Sequence, residues 1–99
     1  MAKVWLTISL IKGAGITDQW IMVADKIVPL DGGVGRCEVD RADGPIFAKV
    51  YLEAAAGASS QMKIEQDGFG TPPNPLRNEK LTISEGQTKY YGRFKITLL

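Results

Sequence analysis

Ninety-nine residues with a net charge of +1, 44% apolar and 23% charged side chains, describe one globular domain. The near-neutral balance argues against bulk attraction to nucleic acid or anionic membrane, leaving only a local basic face as a route to either. Histidine is absent, which removes the commonest general base, metal ligand and near-neutral pH switch, and the single cysteine, Cys37, excludes an intramolecular disulfide.

The chain opens with Val4, Leu6, Ile8 and Leu10 alternating with Trp5, Thr7, Ser9 and Ile11. A period of two marks a strand with one buried and one outer face. The stretch loosely mimics a signal peptide, but it is short, interrupted by Thr7 and Ser9, and lacks a clean cleavage site, so it reads as mature sequence. No run approaches the roughly 20 apolar residues of a membrane span, so a cytoplasmic setting without membrane contact is expected, or a virion if the source is viral. Gly13 and Gly15 end the strand.

Residues 20–24 are apolar on both faces: Trp20, Met22 and Ala24 against Ile21 and Val23. Such a strand is covered twice or sits at a subunit contact. Asp25-Lys26 is expected to turn. Residues 27–30 form a short piece that Pro29 assigns to an edge, and Asp31-Gly32-Gly33 is a hairpin signal. Gly35, Cys37 and Val39 alternate with Arg36, Glu38 and Asp40, and residues 41–45 turn the chain.

Residues 46–56 carry two patterns. Ile46, Ala48, Val50, Leu52 and Ala54 alternate with Phe47, Lys49, Tyr51 and Glu53. Phe47, Val50, Tyr51 and Ala54 also fit a helical face, with Gly57 as its cap. The β-branched and aromatic content favours strand. Further on, Met62 and Ile64 alternate with Gln61, Lys63 and Glu65. Residues 67–78 then hold three prolines and two glycines and read as a long irregular loop. Leu81 and Ile83 alternate with Lys80, Thr82 and Ser84. In the last segment Tyr90, Phe94, Ile96 and Leu98 alternate with Lys89, Tyr91, Arg93, Lys95 and Thr97.

Seven or eight short, mostly antiparallel strands with frequent turn signals predict an all-β fold, a single β-sandwich over residues 1–99 of immunoglobulin-like or jelly-roll type.

Candidate sites follow from what lies on outer faces. Lys89, Tyr91, Arg93 and Lys95, joined by Lys49, Tyr51 and Lys63 from neighbouring strands, interleave cations with aromatics, a pattern that holds phosphates while a ring stacks on a base. The competing reading is a solvated face on which Glu38, Asp40, Glu53 and Glu65 pair with those cations. Phe69, between two glycines in the long loop, is a candidate anchor for a ligand, or a lid on the core. Trp5, Trp20, Tyr51 and Tyr91 could form a platform for a sugar ring. Trp5, Ile11 and Trp20 are apolar where a sheet face should be polar, which marks interfaces between copies.

Other patterns carry less. The glycines at 32, 33 and 35 lack the lysine and helix of a phosphate loop. The aspartates at 18, 25, 31, 40, 43 and 67 lack calcium-loop spacing. Cys37 has no activating base, and a carboxylate pair such as Glu38 with Glu53 could do acid-base work but on a wet sheet is more often two spaced charges. The expectation is therefore a non-enzymatic structural or assembly protein, self-associating as a homo-oligomer through apolar sheet faces, with a virion or particle component as one setting. No catalytic residue, metal or cofactor is expected. The alternative is a binding module for carbohydrate or single-stranded nucleic acid.

Overall fold

The computed structural model describes residues 3–68 and 75–99. Eight strands make two four-stranded antiparallel sheets that pack face to face: β1 Lys3–Lys12, β2 Ile16–Val23, β3 Lys26–Ile27, β4 Val34–Asp40, β5 Ile46–Ala54, β6 Ser59–Gln66, β7 Arg77–Thr82 and β8 Lys89–Ile96. The first sheet has the order β4-β1-β6-β7 and the second β3-β2-β5-β8. Only the β2–β3 and β6–β7 links stay within a sheet; the other five cross the sandwich. In an immunoglobulin domain the first strand pairs with the second. Here β1 pairs with β4 and β6, so the strand pairing is not that of an immunoglobulin domain, and the fold is an eight-stranded β-sandwich.

The period-two alternation sets the core. Leu6, Ile8 and Leu10 of β1 and Met62 and Ile64 of β6 face Ile21 and Val23 of β2 and Val50 and Leu52 of β5, all with almost no exposure. Each such side chain contributes roughly 1.5–3 kcal/mol by leaving water. Residues 46–56 are strand through Ala54, and the helical pattern is not used. A helix would have turned Leu52 away from Val50; the pleat puts both on the inner face. A part-buried polar link ties the sheets together. Gln19 Nε2 donates to the Leu10 carbonyl at 2.8 Å, and the buried Ser60 hydroxyl donates to Gln19 Oε1 at 2.8 Å.

Several boundaries differ from the sequence reading. The β2–β3 turn falls on Ala24 and Asp25, both at positive φ (50° and 63°), one residue earlier than expected. Two consecutive positive-φ residues give the two-residue hairpin whose twist matches the strands. The edge strand β3 stops at Ile27, and Pro29 lies beyond it, in the segment that crosses to the other sheet. β2 begins at Ile16 rather than at residue 20, with a register shift between Ile16 and Asp18 where Thr17 donates to the Glu53 carbonyl at 2.9 Å. β7 begins at Arg77, inside the stretch expected to be loop. Phe69 and the prolines at 72 and 73 lie outside the described residues. Among the described residues no helix is long and apolar enough to cross a membrane.

Candidate functional site

The outer face of the β3-β2-β5-β8 sheet collects most of the residues singled out in the sequence. Strand register sets them in rows. Asp18, Glu53 and Lys89 stand side by side; next come Trp20, Tyr51 and Tyr91; then Met22, Lys49 and Arg93, with Ile27 beside Met22; then Phe47 and Lys95. The middle strand supplies Phe47, Lys49, Tyr51 and Glu53 because its even-numbered residues fill the core.

The second row is an aromatic ladder across three strands. Trp20 and Tyr51 stack with centroids 5.5 Å apart and planes 20° apart. Tyr51 and Tyr91 follow at 4.9 Å, tilted by 52°. Aromatic pairs in this range add roughly 0.5–1.5 kcal/mol beyond burial. The ladder grades from inside to outside: Tyr51, held between two rings, is 7% exposed, whereas Tyr91 at the sheet edge is 70% exposed. Alternation alone assigned Tyr51 to the outer face, and it does point there; its neighbours bury it. Its hydroxyl donates to Glu53 Oε2. That hydrogen bond, then burial and the Glu53 charge, pushes the Tyr51 phenol up to about 12.

Charge is sorted across the same face. Asp18 and Asp25 sit on or beside β2, and Lys89, Arg93 and Lys95 on β8. Lys49 pairs with Asp25 at 3.3 Å. Arg93 lies flat over Phe47, its guanidinium carbon 3.9 Å from the ring centroid. Among the described residues no carboxylate pairs with Lys89, Arg93 or Lys95. Of the carboxylates expected to neutralise them, only Glu53 is on this sheet. Glu38, Asp40 and Glu65 lie on the other one, as does Lys63, whose partner is Glu65 at 3.5 Å. Glu38 and Glu53 are thus separated by the thickness of the sandwich and form no carboxylate pair.

Trp5 and Ile11 occupy the opposite outer face, on β1. The structure therefore divides the four-ring platform expected from sequence into a ladder of three and a separate Trp5. Ile11 and Val34 are exposed near one end of that face, and Trp5 near the other. The guanidinium of Arg36 covers Trp5 at 4.8 Å and forms a bidentate contact with Asp67 Oδ2, at 3.0 Å from Nε and 2.5 Å from Nη2. Thr7 Oγ1 donates to Asp67 Oδ1 at 2.6 Å. No sequence pattern joined these three residues; they meet through strand pairing.

The Thr7 hydrogen bond and the Arg36 charge hold the Asp67 carboxyl below its ordinary value. A folded-state pKa below the unfolded one gives stability that is fully present above the ordinary carboxylate range, near pH 4, and is lost as pH falls through the folded value. Acid unfolding of Asp67→Asn is expected to show a shallower loss of stability below about pH 4 than the parent. Denaturant midpoints measured from pH 7 to pH 2 check this; parallel profiles would contradict it.

Cys37 faces inward on β4, half-buried, and burial followed by the Asp67 charge pushes its thiol up to about 11. A thiol held protonated in this way is a poor nucleophile. Among the described residues no group of three or more Cys, Asp or Glu side chains is arranged to hold a metal ion. Comparison with protein-family models, curated proteins and solved structures finds no match for this chain.

Proposed function

We propose that the protein is a non-enzymatic assembly component whose copies pack together through the outer face of the β3-β2-β5-β8 sheet. The observation that carries this reading is the aromatic and apolar content of that face. Trp20, Met22, Ile27, Phe47, Tyr51 and Tyr91 lie on one outer sheet face that no other strand among the described residues packs against, and Ile27 and Tyr91 are more than half exposed. A contiguous apolar surface of this kind marks an interaction site. Aromatic anchors surrounded by charged residues are also the composition of an interface centre and its rim. Trp5, Ile11 and Val34 on the opposite face offer a second, smaller contact. A subunit with contacts on two opposite faces suits a particle or a virion layer.

The test is the mass of the double variant Ile27→Glu with Tyr91→Glu. Both side chains are exposed, so the fold should be retained. The variant is expected to be monomeric at concentrations where the parent is oligomeric. An unchanged mass would remove this face from the assembly.

A second reading is favoured by one observation: Tyr91, the most exposed ring, is flanked on β8 by Lys89 and Arg93 without carboxylate partners among the described residues. A single-stranded nucleic acid would place phosphates on the cations and a base on the ring, and a sugar would use the same ring. Under this reading Tyr91→Ala with Arg93→Ala abolishes oligonucleotide or glycan binding and leaves the fold intact; binding that survives both substitutions would discard it.

A further inference from the structure

Among the described residues no strand pairs with the outer edge of β8, and the main chain and side chains there are in register with each other. The Ala54 amide donates to the Thr88 carbonyl at 2.9 Å, which fixes the phase of the β5–β8 ladder. Pairs 54/88, 52/90 and 50/92 therefore exchange hydrogen bonds with β5, because hydrogen-bonded and non-hydrogen-bonded pairs alternate in an antiparallel ladder. It follows that the N–H and C=O groups of Lys89, Tyr91 and Arg93 point away from β5, toward the open edge. Lys95 belongs to the same set, and its carbonyl is already taken by Arg77 Nε at 3.0 Å. This side-chain contact caps one end of the edge and leaves Lys89 to Arg93 as the part open among the described residues.

The same three residues present cation, aromatic ring and cation on the outer face. A strand added here would place its own side chains directly opposite them, about 5 Å away. Carboxylates opposite Lys89 and Arg93 would meet charges that lack carboxylate partners among the described residues. A ring opposite Tyr91 would extend the Trp20–Tyr51–Tyr91 ladder by one step.

We infer that β8 is a strand-addition site for an extended acidic segment with the pattern Glu-x-aromatic-x-Glu, bound as a fifth strand of this sheet. Main-chain hydrogen bonds supply affinity in this mode, and alternate side chains supply specificity. A second copy of β8 does not fit. Antiparallel pairing centred on Tyr91 sets Lys89 against Arg93 of the other copy, and like charges directly opposite are destabilising. The inference goes beyond the packing of copies on the sheet face, since it concerns the edge and a partner of different sequence.

The probe is a capped synthetic peptide, Thr-Glu-Val-Tyr-Val-Glu-Thr, titrated into the 99-residue protein with binding followed by fluorescence anisotropy and amide hydrogen exchange. Binding is expected, with new protection at the amides of Lys89, Tyr91 and Arg93. A peptide N-methylated on the residues that face the edge should bind at least ten-fold more weakly. The Lys89→Glu, Arg93→Glu variant should lose the acidic peptide and take up the version with lysine in place of glutamate. Equal binding of the N-methylated peptide, or binding without amide protection, would overturn strand addition and leave only charge attraction. Absence of binding would overturn the site. None of these results depends on the mass of the free protein, so failure here is distinguishable from failure of the assembly reading.

Discussion

Replacing Leu52 with alanine is expected to lower the stability of the fold by about 3 kcal/mol, and the melting temperature by roughly 12–24 °C. Leu52 sits at the centre of the core with no exposed surface, on the strand that joins β2 to β8. Truncation removes three buried carbons and leaves a cavity that close-packed neighbours refill only in part. A domain of this size has roughly 5–15 kcal/mol in total, so the loss is a large share of it. The same substitution also separates the two patterns that residues 46–56 carry. On a helix whose inner face is Phe47, Val50, Tyr51 and Ala54, Leu52 would face outward and its truncation would be nearly silent. A melting curve superimposable on the parent's would therefore contradict the strand, not merely the size of the effect.

The second large effect is at Gly35, where alanine is expected to destabilise by about 3 kcal/mol. Gly35 lies on β4 opposite Ile8, beneath the segment that carries the chain from one sheet to the other. A Cβ atom there would stand 2.2 Å from the Pro29 carbonyl oxygen, with Leu30 and Val28 at 3.1 and 3.2 Å. The nearest group is backbone, and its segment is held by the Val28 amide bonded to the Ile21 carbonyl at 2.9 Å, so it cannot swing aside cheaply. The requirement is space, not backbone freedom. Gly32, which has positive φ and open surroundings, is the control: alanine there should cost only local strain. Chemical denaturation of both variants checks the pair. A tolerated Gly35→Ala would mean that the crossing of residues 28–30 over β4 is wrong.

The strands were legible wherever one face is apolar. β1, β5 and β8 each show the two-residue period, and the structure places their sides as the period indicates. Two stretches were missed for a physical reason. Thr17, Asp18 and Gln19 at the start of β2 carry no apolar alternation, nor do Arg77, Asn78 and Glu79 at the start of the edge strand β7, so nothing in their pattern distinguishes strand from loop.

The candidate site was legible in part. Alternation identifies Tyr51, Lys89, Tyr91, Arg93 and Lys95 as outward, and register then brings them together. It cannot say which of two sheets an outward residue belongs to. That is why Trp5 and Lys63, outward on the other sheet, were grouped with them, and why Glu38 and Asp40 were expected to neutralise cations they do not pair with, while Glu65 pairs only with Lys63 among the described residues. The Thr7–Asp67–Arg36 cluster spans residues 60 positions apart in sequence. Only the pairing of β1 with β4 and β6 makes it visible.

The most direct test of the assembly reading is the absolute mass of the unmodified protein, measured by light scattering behind a sizing column across a wide concentration range. A discrete oligomer or a larger particle that dissociates on dilution is expected, with assembly lost in the Ile27→Glu, Tyr91→Glu variant. A single species at 10.8 kDa at every concentration would contradict it, and the aromatic face would then belong to a ligand.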